Sequence, residues 1–322
     1  MDKLKVLLVG CGNIAGKFDM SPEPTDWPFT HAGAYRVDGR FSVEACIDPN
    51  ESTRDEFMEY WGISKGFDCF DQVKNFIGEF DVISICSPTE FHKNDVLNAI
   101  QLKPKLIFCE KPVTPYADDS RLLTDKCRES NILLAINHTR RWDPKVEELK
   151  SDIEHNTRGQ LRSVIATYNK GILNNGSHLI DLMHYLFGYL NIEMTSNKVF
   201  DYLDDDPSVS ALLTTSTGIP IHCAVGHAGD FALFEVQFIF STGILTMRDG
   251  GLSWNVRSLV ESDHFSGYNV LNKGEYFEGH YKLAMRRAVD NIYQALATAE
   301  SLASDGESAY KAQKMCEKIK FF

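Results

Sequence analysis

The sequence predicts an α/β protein with an N-terminal doubly wound parallel sheet and a C-terminal α/β domain that contains a large, mostly antiparallel open sheet. Short apolar segments alternate with amphipathic segments up to residue 136, which is the pattern of strands joined by crossover helices. After Trp142, longer strand-like segments are separated by glycine-containing turns, as expected for antiparallel pairing. At 322 residues the chain is long enough for two domains, which we place at residues 1–136 and 137–322.

The first half contains apolar segments that we predict as parallel strands. Between them, residues 94–100 and 117–130 carry apolar side chains at helical spacing. Residues 19–28 include three prolines that a helix could not accommodate, so we predict a surface insertion there and a helix that resumes near Thr30. The predicted strands cover residues 6–9, 42–47, 82–86, 106–109 and 133–136.

The second half is predicted as strands followed by helices. Gly218 and Gly243 stand where tight hairpin turns require glycine. The segment 232–241 alternates large apolar with mixed side chains, so one face should pack on helices while the other contacts a second subunit. We therefore expect a homodimer or homotetramer assembled through this sheet. The predicted strands cover residues 163–168, 208–215, 219–225, 232–241, 244–248 and 252–256, and the predicted helices cover residues 145–153, 280–303 and 307–319.

The composition excludes several classes of partner. With 33 Lys and Arg against 45 Asp and Glu, the formal net charge of -12 repels nucleic-acid backbones and anionic membrane surfaces. The first residues lack the long apolar segment of a secretory signal, and no stretch is long enough to span a bilayer. The 8 cysteines are scattered and form no C-x-x-C pair, so we expect reduced thiols, no metal site and a cytoplasmic protein.

The first predicted strand is followed by the glycine-rich turn Gly10-Cys11-Gly12-Asn13-Ile14-Ala15-Gly16, which is the context of a dinucleotide-binding Rossmann domain. Gly10 permits a tight turn, Gly12 lets the backbone approach a pyrophosphate, and Gly16 lets the following helix pack closely on the strand. The backbone at Asn13 and Ile14 would donate N–H groups to the phosphates. A glycine turn that binds no ligand is the alternative.

Asp48 follows the second predicted strand, where a carboxylate can accept hydrogen bonds from a ribose diol and would repel a 2′-phosphate. It therefore favours NAD over NADP as the cofactor. The separation from the glycines exceeds the usual value of about 20 residues, and the proline-rich insertion accounts for the excess. Arg40 and Arg54 lie close enough in sequence to weaken the discrimination, and Asp48 before Pro49 could instead only start a turn.

A second candidate cofactor loop follows the strand predicted at residues 82–86. It contains Ser87, Pro88 and Thr89, with His92 shortly after them. This is the carboxyl edge of the sheet, where ligands of open α/β folds bind, so we predict that the loop lies against the nicotinamide ribose. The alternative is an ordinary strand-to-helix turn with Thr89 as the helix N-cap.

Three further motifs complete a family resemblance. They are Glu110-Lys111-Pro112, Arg140-Arg141-Trp142-Asp143-Pro144, and Gly176-Ser177-His178-Leu179-Ile180-Asp181 with Leu186-Phe187-Gly188 beyond it. Together with the two candidate cofactor loops, they resemble the Gfo/Idh/MocA oxidoreductases over nearly the whole chain. The resemblance implies a Rossmann domain followed by an α/β domain with a large open sheet, and a nicotinamide bound near Glu110 and Lys111. It also implies hydride exchange with a carbon of a sugar, nucleotide sugar or cyclitol.

The resemblance makes Lys111 and His178 the candidate catalytic residues. Oxidation of a secondary alcohol requires a group that removes the hydroxyl proton, a role suited to histidine, and a lysine can stabilise the developing alkoxide. The family commonly has an aspartate where this chain has Asn174, and an amide cannot stabilise an imidazolium as a carboxylate does. Asp181 could compensate if it shares a helical face with His178, or it could only anchor the helix.

Further polar residues are candidates for substrate binding, although they could equally line the rim of the site. Lys170 and Arg141 could meet a carboxylate or a diphosphate. Two other functions stay open on this fold, namely NAD-dependent elimination or hydrolysis without net redox change, and a non-enzymatic sensor of a dinucleotide or sugar. The candidate substrate-binding residues are Lys111, Arg141, Tyr168, Lys170, Asn174, Asn175 and His178.

Overall fold

The computed structural model describes residues 3–21 and 27–322, so part of the predicted proline-rich insertion lies outside the described residues. The chain divides into two compact units, Met1–Trp142 with Lys282–Lys311 and Asp143–Tyr281 with Ala312–Phe322. The first cut falls six residues after the predicted boundary at residue 136. The division also differs from the predicted domains in assigning most of the C-terminal helical segment to the first unit.

A parallel sheet of six strands forms the centre of the first unit, as the sequence predicts. The strands are β1 Leu4–Val9, β2 Phe41–Ile47, β3 Lys65–Phe67, β4 Val82–Ile85, β5 Leu106–Cys109 and β6 Leu133–Ile136. Their spatial order is β3-β2-β1-β4-β5-β6, so β2 and β3 lie on one side of β1, and β4, β5 and β6 lie on the other. The carboxyl ends of β1 and β4 therefore flank the topological switch point, where open α/β sheets bind ligands.

Helices pack on both faces of this sheet. β1 shows the consequence, because Val6 and Leu8 belong to one hydrophobic cluster and Leu7 and Val9 to another. The helix that covers residues 284–298 places Ile292 in the same cluster as Val6, which explains why that segment joins the first unit. The helices are α1 His31–Asp38, α2 Glu51–Trp61, α3 Thr89–Gln101, α4 Ala117–Glu129 and α7 Ala284–Thr298.

The structure corrects the helix predicted directly after the glycine turn. A single helical turn is followed by the 3₁₀ turn Lys17–Asp19. The N–H of His31 then donates to the Ile14 carbonyl at 3.2 Å, and the N–H of Ala32 donates to the Ala15 carbonyl at 2.8 Å. In an uninterrupted helix these carbonyls would bond the N–H groups four residues later. Helix α1 therefore resumes the helix that the glycine turn starts.

The second unit contains a nine-stranded sheet. Its strands are β7 Leu161–Tyr168, β8 Leu190–Leu203, β9 Asp206–Thr215, β10 Pro220–Val225, β11 Phe234–Phe240, β12 Gly243–Arg248, β13 Ser253–Glu261, β14 Asn269–Leu271 and β15 Glu275–Glu278. Their order is β14-β13-β12-β11-β7-β10-β9-β8, and β15 pairs with β13. In the part of the chain that the structure describes, β7 and β10 are the one parallel pair of this sheet, so the predicted mostly antiparallel sheet is confirmed.

Of the two predicted hairpin glycines, Gly218 lies in its turn with φ of +82°, and Gly243 is the first residue of β12, directly after the turn, with φ of +156°. The long strand β8, by contrast, is not predicted, because its residues show no regular alternation of apolar and polar side chains. This strand and the start of β9 turn out to be important for the candidate site, since they form the hairpin that holds the loop before His178.

Helices pack against one face of this sheet. Phe238 of β11 is fully buried there, whereas Ile165, on the other face of β7, is 38% exposed. The alternation predicted for residues 232–241 is therefore confirmed. Within the described residues, none of the helices combines the length and hydrophobicity needed to traverse a bilayer. The remaining helices are α5 Pro144–His155, α6 Gly176–Phe187 and α8 Gly306–Phe321, the last of which begins in the first unit.

Candidate active site

The glycine turn has the geometry of a phosphate-binding loop. Gly10 ends β1 with φ of +87°, and a Cβ atom there would lie 2.8 Å from the backbone nitrogen of Ser87. Only glycine fits, because the turn touches the backbone of the loop after β4. A Cβ atom on Gly12 would meet nothing within 4 Å, so open space lies beside this residue, as the approach of a pyrophosphate requires. In the described part of the chain, the N–H groups of Asn13 and Ile14 have no protein acceptor.

Gly16 has a different neighbour from the predicted one. A Cβ atom there would overlap the indole of Trp61 and lie 2.6 Å from Cε2 of Phe57. The close packing that requires glycine is therefore made against α2, and not against the first strand. The prediction of close packing is correct, but its partner is corrected.

Asp48 lies directly after β2 and contacts the glycine turn. Its Oδ2 accepts the N–H of Cys11 at 2.8 Å, and its Oδ1 accepts the N–H of Asn50 at 2.9 Å. Each carboxylate oxygen can accept a further hydrogen bond, which leaves capacity for a ribose diol. Arg54 donates to the Asp48 carbonyl oxygen at 2.7 Å and pairs with Asp68 at 2.7 Å. The nearby guanidinium is thus already engaged with protein groups.

Arg40, the other arginine considered in the sequence, lies at the opposite edge of the sheet. It precedes the first residue of β2 and forms ion pairs with Asp38 and, at 2.7 Å, with Asp290. It therefore does not bear on the choice between NAD and NADP. The spacing of Asp48 is also explained. When the residues inserted between the glycine turn and α1 are left out of the count, Asp48 follows the glycine turn by about 20 residues, which is the usual separation.

The loop after β4 is held by side chains of α3. Ser87 Oγ donates to Asp95 Oδ2 at 2.6 Å, and the Ser87 carbonyl oxygen lies 2.7 Å from Nε2 of His92. Burial raises the pKa of Asp95, although the hydrogen bond from Ser87 and the neighbouring His92 oppose the rise. The ring of His92 is 1% exposed, and its Nδ1 lies 2.9 Å from the Pro112 carbonyl oxygen.

Two consequences follow for this loop. Because both nitrogens of His92 face backbone carbonyls, the side chain can influence a cofactor through the loop, and its assignment to cofactor binding stays a prediction. Thr89 is the first residue of α3 and Pro88 is the N-cap, without a side-chain cap bond. The alternative interpretation of Thr89 as an N-cap is therefore wrong.

Glu110 and Lys111 follow β5 at the same edge of the sheet. Oε1 of Glu110 accepts a hydrogen bond from Nδ2 of Asn137 at 2.6 Å and lies 2.9 Å from Nε2 of His31. Burial of Glu110 favours its neutral form, but the hydrogen bonds from His31 and Asn137 outweigh burial and lower its pKa. Lys111 is half-buried beside this ionised carboxylate.

His31 and Asn137 are not among the site residues that the sequence predicts. Asn137 directly follows β6, at the carboxyl edge that singled out Asp48 and Ser87, so a signal for it exists. His31 has no such signal, because the insertion separates it from the glycine turn in sequence.

In the second unit, the loop before His178 is held by a carboxylate. The π-helical turn Gly171–Asn175 leads into α6, whose first turn carries the half-exposed His178. The N–H groups of Leu173 and Asn174 donate to the carboxylate of Asp206, at 2.9 and 2.8 Å. Burial raises the pKa of Asp206, although these two hydrogen bonds oppose the rise.

A second aspartate of the same hairpin holds the start of this loop. Lys170 has a left-handed backbone with φ of +67°, and its N–H donates to Asp201 Oδ2 at 3.0 Å. Ser208 donates to the other oxygen of Asp201 at 2.8 Å. Burial would raise the pKa of Asp201, but the hydrogen bonds from Lys170, Ser208 and Ala228 outweigh burial and lower it.

The side-chain amides of the two predicted asparagines brace the same loop. Asn174 Nδ2 donates to the Lys170 carbonyl at 3.0 Å, and Asn175 Nδ2 donates to the Asn169 carbonyl at 3.0 Å. Asp181 lies on α6 with His178, as its predicted role requires, and is 1% exposed. The assistance of Asp181 to His178 stays a prediction.

The structure corrects the predicted substrate contact of Tyr168. The side chain is 1% exposed, and its hydroxyl donates to the Val209 carbonyl at 2.8 Å and accepts the Val209 N–H at 3.0 Å. Both functions of the hydroxyl are thus used in the core of the second unit. Arg141 is 8% exposed and donates to the Ala303 carbonyl at 3.1 Å, and its role in substrate binding stays a prediction.

A sequence comparison decides which family this site belongs to. Residues 4–138 match the GFO_IDH_MocA family model, described as an oxidoreductase family with an NAD-binding Rossmann fold. Over these residues the chain belongs to the Gfo/Idh/MocA oxidoreductase family. The predicted family and oxidoreductase class are therefore confirmed.

Named relatives extend the likeness beyond the first unit. D-glucoside 3-dehydrogenase of Escherichia coli is 22% identical over 271 residues, which are 78% of this chain and 69% of that protein. Inositol 2-dehydrogenase of Rhizobium meliloti is 26% identical over 160 residues, which are 44% of this chain and 48% of that protein. The solved structure of KijD10, a 3-ketoreductase from Actinomadura kijaniata, has a TM-score of 0.77 at 17% identity and covers 99% of this chain and 98% of that chain.

Membership in the Gfo/Idh/MocA family narrows the open alternatives. The two named sequence relatives are dehydrogenases, which favours net redox chemistry over elimination or hydrolysis. KijD10 is in complex with NADP, whereas a similar oxidoreductase from Agrobacterium radiobacter is in complex with NAD⁺. The family therefore establishes an NAD(P)-binding domain without separating the two cofactors. The individual site residues stay predictions.

Proposed function

We propose that this Gfo/Idh/MocA protein transfers hydride between NAD(P) and a secondary alcohol or ketone carbon of a sugar, nucleotide sugar or cyclitol. The observation that carries the proposal is the assembly of four groups along one edge of the first sheet. The open turn at Gly12 contacts Asp48 through the N–H of Cys11, the same turn abuts Ser87, and Lys111 follows the adjacent strand.

These residues fit a dinucleotide and divide the chemistry. When bound, the nicotinamide exchanges hydride with the reacting carbon. The N–H groups of Asn13 and Ile14 bind phosphate oxygens, and Asp48 binds a ribose diol. Lys111 orients the substrate hydroxyl and stabilises negative charge on its oxygen. His178, in the second unit, accepts the hydroxyl proton as general base.

The substrate is proposed as a polyhydroxylated molecule. The relatives named above act on a glucoside and on inositol. In this chain Lys170 precedes the turn that leads to His178 and Asn175 is its last residue, and both side chains are half-buried. We assign them to hydroxyl, carboxylate or phosphate groups of the substrate.

We propose NAD as the preferred nucleotide, because the carboxylate of Asp48 would repel a 2′-phosphate and the guanidinium of Arg54 is engaged with Asp68. Calorimetric titration should give a lower Kd for NADH than for NADPH. An Asp48→Ser variant should lose this preference. Tighter binding of NADPH by the unchanged protein would overturn the assignment.

We also propose that the uncovered face of the second sheet joins copies of the chain into a homodimer or homotetramer. Ile165 is 38% exposed near the middle of this face, and Tyr276 is 67% exposed towards its edge. Light scattering should give the mass of two or four chains, and Ile165→Glu should reduce that mass. A monomer of the unchanged protein would exclude the proposal.

The central experiment screens the protein with NAD⁺ or NADH against sugars, nucleotide sugars and cyclitols by the absorbance of the reduced nicotinamide. We expect one mole of reduced cofactor for each mole of ketone product. Gly12→Ala should weaken cofactor binding by about tenfold or more, since a methyl group would occupy the space of the pyrophosphate. It should leave the melting temperature unchanged, because no protein atom lies within 4 Å of the new Cβ. Product formation without change in the cofactor would contradict the redox assignment.

A further inference from the structure

We propose that His92 is held as an imidazolium and is the positioning residue of two segments of the cofactor site, the Ser87–Thr89 loop and the Lys111–Pro112 turn. The ring lies between these segments, with Nε2 at 2.7 Å from the Ser87 carbonyl oxygen and Nδ1 at 2.9 Å from the Pro112 carbonyl oxygen. The side chain is 1% exposed, so water cannot replace either contact freely.

The chemistry of the two partners requires two protons. A carbonyl oxygen only accepts hydrogen bonds, whereas a neutral imidazole has one N–H group and one lone pair. A neutral His92 would therefore bring a nitrogen lone pair against an oxygen lone pair and leave a buried polar atom unsatisfied. The imidazolium donates at both nitrogens and forms two charge-assisted hydrogen bonds.

His31, the other buried histidine near this edge, provides an internal contrast. Its ring is fully buried, its Nε2 lies 2.9 Å from Oε1 of Glu110, and its Nδ1 has no partner in the described part of the chain. A single ring N–H group is enough to form the hydrogen bond between His31 and Glu110. Both histidines are buried, so burial does not distinguish them. What distinguishes His92 is the second carbonyl oxygen beside its ring.

The surrounding charges can balance a buried cation. Asp95 on the same helix and Glu110 after β5 provide two carboxylates, and both influence the Cys109 thiol electrostatically. Burial raises the pKa of Cys109 well above its ordinary value, and it does the same for Cys86, so both thiols stay neutral. On the α4 side, Asp119 is paired with Lys93 at 2.6 Å. His31 and Lys111 both favour the ionised form of Glu110, and His92 favours the ionised form of Asp95, although burial raises the pKa of Asp95.

The position of the His92 ring indicates what its protonated form does for the cofactor site. Ser87 is held twice, by Asp95 through its hydroxyl and by His92 through its carbonyl, and its backbone nitrogen abuts Gly10. Pro112 is the residue after Lys111. Loss of the second proton would release one of the two segments, so cofactor binding should weaken as the pH rises. The expected weakening of cofactor binding rests on the proposed function, whereas the protonation of His92 does not.

The protonation state can be measured directly by NMR on protein labelled with ¹⁵N-histidine. At about pH 8, where an ordinary histidine is neutral, we expect both ring nitrogens of His92 to carry protons. The exposed His155, whose Nδ1 lies 2.9 Å from one backbone carbonyl, serves as the control. Couplings to the backbone assign the signals in the unchanged protein. A single proton on His92 would overturn the proposal.

The positioning role is tested by the Kd for NADH of His92→Gln and of the control His155→Gln, measured from about pH 6 to pH 9. Both N–H groups of a glutamine amide are on one nitrogen and do not replace donors on two separate ring nitrogens, so we expect about tenfold weaker binding near neutral pH for His92→Gln. The control should match the unchanged protein. The unchanged protein should approach the variant as the pH rises, because it then loses the same hydrogen bond.

The outcomes separate this inference from the proposed function. A constant ratio of Kd values across the pH range would refute the positioning role, even if the variant is less stable. If His92→Gln does not fold, a pH-independent Kd of the unchanged protein would refute the role instead. If the unchanged protein binds no nicotinamide nucleotide, the proposed function fails, while the NMR measurement still decides the protonation of His92.

Discussion

The Ser87 loop of the first unit and the turn before His178 of the second unit are fixed in different ways. In the first unit, the Ser87 loop is held by side chains of the helix that directly follows it, His92 and Asp95. In the second unit, the turn before His178 is held by Asp206 and Asp201, which lie about 30 residues further along the chain. The first loop is thus fixed by local sequence, and the second by the β8–β9 hairpin.

This difference indicates which substitutions should disturb each loop. The Ser87 loop has several independent supports, because its hydroxyl, its carbonyl and the neighbouring Gly10 turn are all constrained. In the turn before His178, two consecutive backbone N–H groups depend on the same carboxylate, since Asp206 accepts both of them. We therefore expect variants at the first loop to affect chemistry and binding, and variants at the second to affect geometry and stability together.

The largest expected effect is the loss of catalysis in Lys111→Ala. The turnover number should fall by about 100- to 10,000-fold, the contribution typical of a positioned proton-transfer or charge-stabilising group. The Kd for NADH should change by only a few fold, because Lys111 is proposed to meet the reacting carbon and not the pyrophosphate. Steady-state kinetics and calorimetry measure the two quantities, and Lys74→Ala, at an exposed lysine of the same unit, is the control. Unchanged turnover would remove Lys111 from the mechanism.

The sequence could predict this first loop because its geometry follows from strand order. Residues that directly follow β1, β2, β4 and β5 meet at one edge of a parallel sheet, so Gly10, Asp48, Ser87 and Lys111 are recognisable without a structure. The interruption of the helix between Lys17 and His31 is predictable only in part. Its prolines indicate an insertion, but nothing in the pattern shows that α1 resumes the interrupted hydrogen-bond ladder.

The second prediction concerns the support of the His178 turn. In Asp206→Asn, an amide nitrogen would replace one acceptor of the N–H groups of Leu173 and Asn174. We expect the free energy of unfolding to fall by about 2 kcal/mol and kcat/KM to fall by about tenfold. Chemical denaturation and kinetics give both values. The adjacent, exposed Asp205→Asn is the matched control, and equal behaviour of the two variants would contradict the proposed dependence on Asp206.

The role of this hairpin could not be predicted from the sequence. Strand β8 lacks alternation, so the hairpin itself is not recognised, and an aspartate at the start of a strand usually indicates a turn. The contacts of Asp206 with a loop 32 residues earlier depend on strand register, which sequence spacing does not fix. For the same reason Tyr168 was assigned to the substrate, although its strand turns the ring into the core.

The third prediction tests this correction of Tyr168. Tyr168→Phe removes the donor to the Val209 carbonyl and the acceptor of the Val209 N–H, so we expect a loss of about 1–2 kcal/mol in the free energy of unfolding. The KM for substrate should not change, since the hydroxyl faces the core. Tyr189→Phe, at a side chain that is 67% exposed, provides the control. A raised KM without a stability loss would restore the substrate contact.

The smallest expected effect concerns how the free energy of unfolding changes with acid pH. It depends on Glu110, the buried carboxylate of the first unit. Because the pKa of Glu110 is lowered in the folded state, its ionised form stabilises the fold above the ordinary glutamate pKa, and this stabilisation is lost as the pH falls through the lowered value. Glu110→Gln should therefore lose less stability on acidification than the unchanged protein, by about 1 kcal/mol at most. Denaturation at several pH values between about 6 and 3 measures this slope, with the exposed Glu79→Gln as control. Parallel pH profiles would mean that His31 and Asn137 do not favour the ionised carboxylate, and the charge balance proposed around His92 would then need a different second anion.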